Sequence, residues 1–126
     1  MTFEHFALNV AHLQDMVDWY QEHIGLKVVK QLNRPPFMTF LADSADRIVL
    51  ELYHRPEHKM TDFKKEHHIT FHIAFISVNA QQDKERLQKV GCSFIEEAKK
   101  DDGTHLVMLR DPWGLPLQLC QRATPF

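Results

Sequence analysis

The sequence predicts an α+β fold: two βαβββ modules forming a curved mixed sheet, with the helices outside. Three observations predict it. Patterned segments run strand, helix, strand, strand, strand, and then the same order starts again. A polar stretch without periodicity separates the two runs. A shift of 67 residues brings His5 onto His72, Ala7 onto Ala74, and Leu50-Glu51-Leu52 onto Leu117-Gln118-Leu119. Self-similarity at a fixed spacing is the mark of a structural repeat.

Each element has a local reason. FEHFALNV (3–10) suits a short strand. Leu13, Met16, Val17, Tyr20 and Ile24 then form one helical stripe, so a helix is expected over 12–24. Gly25 stands where a left-handed helix stop belongs. LKVVKQL (26–32), FMTFLA (37–42) and RIVLELY (47–53) read as strands, with Pro35-Pro36 and DSAD between them. In the second run ITFHIAFISV (69–78) is the opening strand. Asn79 is the expected N-cap of a helix ending near Val90, and Gly91 follows. CSFIEE, HLVMLR and LPLQLCQR complete the set, separated by KDDGT and DPWG. The expected organisation is a single domain over 1–126, with repeats at about 1–54 and 69–126 and a linker at 55–68.

Composition excludes several classes. The formal net charge is −2, whereas a nucleic-acid binder normally shows a basic face. No long apolar run suggests a signal peptide or a membrane span, so neither nucleic acid nor membrane is an expected partner. Cys92 and Cys120 match no metal or redox motif, and two free thiols point to the cytoplasm.

The repeat places chemistry at equivalent positions. Side chains alternate across a strand, so each of four strands offers one strong donor among mostly apolar or small neighbours. These donors are His5, Glu51, His72 and Gln118. A buried imidazole or carboxylate needs a partner, and four such residues can satisfy one another around one cation. Two imidazole nitrogens, one carboxylate oxygen and one amide oxygen suit zinc, nickel, cobalt, iron or manganese rather than calcium. One divalent ion per site is therefore expected.

Three separated stretches carry a resemblance that covers essentially the whole chain. HFALNVAHLQDMVDWYQEHIGLKVV resembles the opening of bacterial glyoxalase I, HIAFISV its second-repeat opening, and LRDPWGLPLQL its closing motif. The chain resembles the vicinal oxygen chelate superfamily, which includes glyoxalase I, fosfomycin resistance proteins, methylmalonyl-CoA epimerase, extradiol dioxygenases and bleomycin-binding proteins. The resemblance implies metal ligands at His5, Glu51, His72 and residue 118. The last is usually glutamate and a proton carrier; here it is Gln118. An amide cannot take that proton, so Glu51 is the expected catalytic base as well as a ligand.

The implied activity is that of a glyoxalase-like lyase or isomerase. Its substrate would be small, with vicinal oxygens, and the metal would stabilise an enediolate. The resemblance also implies a homodimer with sites shared between chains. Bacterial glyoxalase I uses an arginine for glutathione where this chain has Asn9, which argues for a different substrate.

Two alternatives come from the same superfamily. His5, His72 and Glu51 form a two-histidine, one-carboxylate set, which supports oxygen chemistry with iron. A bleomycin-resistance-like protein would instead sequester its ligand in an aromatic crevice, for which Phe37, Phe40, Phe71 and Trp113 are candidates. Arg34 is a candidate anion holder from a loop, and Cys120 shares the face of Gln118. His67-His68, Glu96 and Glu97 read as solvated surface groups.

Overall fold

The structure, a computed structural model, describes residues 1–126 and divides into two compact units, Met1–Thr61 and Asp62–Phe126. The first unit contains β1 (Phe6–Asn9), α1 (Leu13–Trp19), β2 (Lys27–Gln31), β3 (Thr39–Ala42) and β4 (Ile48–Tyr53). The second contains β5 (Ile73–Ile76), α2 (Ala80–Lys89), β6 (Ser93–Lys99), β7 (His105–Arg110) and β8 (Pro116–Gln121). Their sheets have the same topology, β1-β4-β3-β2 and β5-β8-β7-β6. In each, the first strand runs parallel to the last and the other pairs are antiparallel.

The helical stripe folds as its period requires. Leu13, Met16, Val17 and Tyr20 are buried, together with Leu41, Leu50 and Leu52 from the sheet. The last turn widens into a π-helix over Tyr20–Ile24, and Gly25 ends it at φ +83. Asn79 caps α2 by accepting the Gln82 N–H at 3.0 Å. That helix buries Ala80 and Leu87 in a core with Val107, Leu109, Leu117 and Leu119. The leucines of the last strand thus all point to the helix side, as their alternation requires.

The 67-residue repeat holds at both ends of each unit but drifts in the middle. Phe6 pairs with Leu50 and Ile73 with Leu117, in equivalent register. The helix-ending glycines, Gly25 and Gly91, are one residue closer than that spacing. An irregularity in the β3–β4 register, between Leu41 and Ala42, helps to restore it. β-Bulges insert a residue without breaking a sheet, which is how such drift is absorbed.

The opening strands are shorter than the sequence suggested. β1 begins at Phe6 and β5 at Ile73, so His5 and His72 each stand immediately before a strand. The stretch before Ile73 is a turn, closed by Thr70 N–H donating to His67 O at 2.9 Å.

The polar stretch over 55–68 contains structure of its own. Phe63–Lys65 forms a 3-10 turn, and Phe63 is buried with its ring edge-on to Phe71 at 5.9 Å. The Arg110 guanidinium donates to Phe63 O, Glu66 O and Gly114 O at 2.7–2.9 Å. Polar composition hid this docking because the held groups are backbone carbonyls. No helix is long and apolar enough to cross a membrane.

Candidate metal centre

In the first unit the expected donors converge. Glu51 pairs with Ala7 in the β1–β4 ladder and with Phe40 in the β3–β4 ladder. It faces away from Leu50 and Leu52, which lie in the core, yet it is itself only 7 % exposed. A carboxylate so placed needs a partner. His5 supplies it: its Nε2 lies 2.9 Å from Glu51 Oε2. Its Nδ1 meets the Glu4 carboxylate. The His5 ring also stands edge-on to Phe40, with centroids 5.6 Å apart.

In the second unit the equivalent residues do not meet each other. Gln118 pairs with Ala74 in register, as Glu51 does with Ala7. Its Oε1 accepts from the Cys120 thiol at 3.2 Å, which places the two side chains on one face. His72 is exposed and its Nδ1 lies 3.1 Å from His68 O. Burial pushes the Cys120 thiol above its ordinary range. Burial, with the Asp111 charge second, pushes Cys92 up to about 12. Both thiols are therefore poor nucleophiles at neutral pH.

The donors suit the metal the fold family implies. His72 has Nδ1 engaged by the His68 carbonyl, which leaves Nε2 to ligate, whereas His5 Nε2 already faces the Glu51 carboxylate, the two donors a shared cation would take together. The oxygens are one carboxylate and one amide held only by a weak thiol donor. Nowhere in the chain do three His, Cys, Asp or Glu side chains group closely enough to hold a metal ion. Two of the expected ligands lie in each unit, and of these His5 and Glu51 meet while His72 and Gln118 do not.

A cavity of about 440 Å³ lies in the first unit, and neither His5 nor Glu51 is among its lining residues. Asn9, Tyr53, Arg55, His58 and Lys59 line it, with Pro36 and Met38. Tyr53 is two residues from Glu51 on β4 and shares its face by alternation. Asn9 holds the loop beyond that strand, donating to Arg55 O at 3.0 Å and accepting the Arg55 N–H at 2.7 Å. The expected anion holder, Arg34, is not among the lining residues. Arg55, His58 and Lys59 were missed because they fall in the polar stretch after β4, where no period marks them. The signal available was the basic run HRPEHK directly after the strand that carries Glu51.

Other expectations need correction. His68 is buried, with Nε2 2.9 Å from Glu96 Oε1, and its ring stacks on His67 at 4.3 Å. Glu97 is exposed, as expected of a surface group, and within β6 it accepts from Lys84 at 2.9 Å, with His105 Nε2 at 2.8 Å. Those two partners hold its carboxyl down at about 2. Of the aromatics, Phe40 stands beside His5, whereas Phe71 packs on Phe63.

Residues 2–119 match the family model described as Glyoxalase/Bleomycin resistance protein/Dioxygenase superfamily. Two strains of Neisseria meningitidis carry proteins named lactoylglutathione lyase that are 28% identical over 129 residues, covering 97% of this chain and 91% of theirs. The fosfomycin resistance protein FosX from Listeria monocytogenes superposes with a TM-score of 0.72 at 15% identity, covering 97% of this chain and 93% of that one. TnmS3, an antibiotic binding protein from Streptomyces sp. CB03234, gives 0.69 at 18%, covering 96% and 95%. At such identities the two structures speak for the fold alone.

Proposed function

The chain belongs to the Glyoxalase/Bleomycin resistance protein/Dioxygenase superfamily, and on that premise we propose that it is a metal-dependent, glyoxalase-like lyase or isomerase. The observation that carries this reading is the buried Glu51 carboxylate facing His5 Nε2 at 2.9 Å. His5, Glu51, His72 and Gln118 would hold one divalent cation. Two chains would share each site, with His5 and Glu51 from one and His72 and Gln118 from the other. The exposed edge strands support a homodimer: Ile76 on β5 is 86% exposed and Val78 just beyond it 94%. Unpaired edges of that kind are normally covered.

The cation would supply Lewis acidity for charge developing on two adjacent substrate oxygens. Glu51 would take the proton from one of the two oxygen-bearing carbons and return it to the other. Phe40 and the strand backbone exclude water from one side of the pair. Gln118 orients without exchanging a proton. Arg55, His58 and Lys59 would take an anionic group at the far end of the substrate, since three cationic or titratable donors converge on one cavity.

The test combines composition and turnover. Elemental analysis of untagged protein should find about one divalent ion per chain, and His72→Ala should remove most of it. Small 1,2-dicarbonyl and 2-hydroxycarbonyl compounds, with and without thiol, should exchange their α-proton with D2O. No metal uptake, or unchanged metal in His72→Ala, would refute the site. A second reading is small-molecule sequestration, favoured by the cavity, whose volume lies within the usual ligand range. Tight binding of a small aromatic ligand by metal-free protein, with no proton exchange, would support that reading instead.

A further inference from the structure

We propose that His68 and Glu96 are positioning residues that hold His72 in the Nδ1–H tautomer, which offers Nε2 to a metal. The inference rests on the reading of His72 as a ligand.

His68 is only 7 % exposed, and nothing in the fold requires an imidazole there. A buried ring nitrogen must find a partner. Its Nε2 finds Glu96 Oε1 at 2.9 Å, on β6, the far edge strand of the sheet that carries Gln118. Glu96 pairs with Met108, and Met108 with Gln118, so Glu96 and Gln118 lie in one row across the sheet. The other face of the His68 ring stacks on His67. The turn that holds both is closed by Thr70 N–H to His67 O. Residue 68 is thereby fixed at its side chain and within its turn.

Its carbonyl then acts on His72. His72 Nδ1 lies 3.1 Å from His68 O. A backbone carbonyl can only accept, so Nδ1 must carry the hydrogen. In a neutral ring that leaves the lone pair on Nε2. His5 differs: both of its ring nitrogens face carboxylates, Nδ1 that of Glu4 and Nε2 that of Glu51. At His72 the choice falls to a carbonyl, anchored by a buried histidine and a carboxylate on β6.

The device is tested on the metal-free protein by long-range ¹H–¹⁵N spectra of the imidazoles near pH 8. In the native chain His72 should be in the Nδ1–H form. Glu96→Ala should mix its tautomers and weaken cobalt(II) affinity roughly tenfold, the lower end of effects for groups that orient metal ligands. Glu96→Gln should restore both, because its amide oxygen still accepts from His68. His68→Phe keeps the ring volume and stack but not the Nε2 bond, and should behave like Glu96→Ala. Unchanged His72 tautomer in Glu96→Ala and His68→Phe, or native cobalt affinity in both, would overturn the proposal. Full cobalt uptake by His72→Ala would instead refute the metal reading itself. Loss there, with native behaviour in Glu96→Ala and His68→Phe, would refute only the positioning role.

Discussion

The two units repeat a backbone but divide its chemistry unequally. Glu51 and Gln118 occupy the same place in the ladder, opposite Ala7 and Ala74. Glu51 brings a charge to a buried position, and His5 closes on it. Gln118 is neutral and settles for a thiol donor. The turns before these strands show the same pattern. Asp43 accepts the N–H groups of Ala45 and Arg47; Asp111 accepts those of Trp113 and Leu115. The left-handed residue is Asp46 in the first turn, at φ +59, and Gly114 in the second, at φ +93. The difference has a cause. A Cβ on Gly114 would lie 2.9 Å from the Lys64 backbone nitrogen, because the second unit packs its own leading segment against that turn. Equivalent positions in a repeat keep their backbone role and acquire new side chains where a neighbour arrives.

The sharpest break of this comparison is at the donors. Glu51→Gln removes the proposed proton acceptor while keeping the shape, and turnover should fall by about 10²–10⁴-fold. Steady-state rates on any substrate found, with a melting curve to check the fold, measure it. Gln118→Glu should instead tighten cobalt affinity by adding a charge at the repeat-related position. Unchanged affinity would remove residue 118 from the ligand set.

The next effect is on stability. Arg110 serves three carbonyls of the second unit, whereas Ala42 takes the corresponding end of β3. Arg110→Met should cost about 3–5 kcal/mol in urea unfolding, because charge-assisted bonds are lost and carbonyls are left unpaired. A loss below about 1 kcal/mol, by the same scale, would mean that water replaces the guanidinium.

The turn glycines come third. Gly114→Ala combines a positive φ with overlap against Lys64, and should cost about 2–4 kcal/mol. Asp46→Gly relieves the first turn but removes the Asp46–Lys27 pair at 3.0 Å, so its net effect should stay within about 1 kcal/mol. Equal effects of the two substitutions would contradict the packing explanation.

The smallest expected effect is a pH dependence. The Lys84 and His105 bonds lower the Glu97 carboxyl from 4.5 to about 2 in the folded chain. A depressed carboxylate contributes stability above its unfolded value, and that contribution fades as pH falls through the folded one. The melting-temperature gap between the native chain and Glu97→Gln should therefore shrink between pH 4.5 and 2. A gap that is constant over that window would exclude the ionic contribution.

Much of this was legible in the sequence because it depends on local periods. The stripe from Leu13 to Tyr20 could only be buried as a helix, and Asn79 could cap only the helix that follows it. The coincidence of His5 with His72 and of Glu51 with Gln118 marked the two last strands as equivalent. His68, Glu96 and Arg110 were not legible. Their partners are a carboxylate on β6 or backbone carbonyls far along the chain, and no spacing rule reports such contacts.

The amino-acid sequence by itself determined the repeat, the faces of the strands and the donor types offered on them, because alternation and helical period are properties of neighbouring residues. Tertiary structure alone decided that His5 closes on Glu51 while His72 turns to His68. It also decided that a polar stretch becomes a docked segment held by Arg110. Those outcomes depend on which groups the folded backbone brings within hydrogen-bond distance, and local periods do not report that.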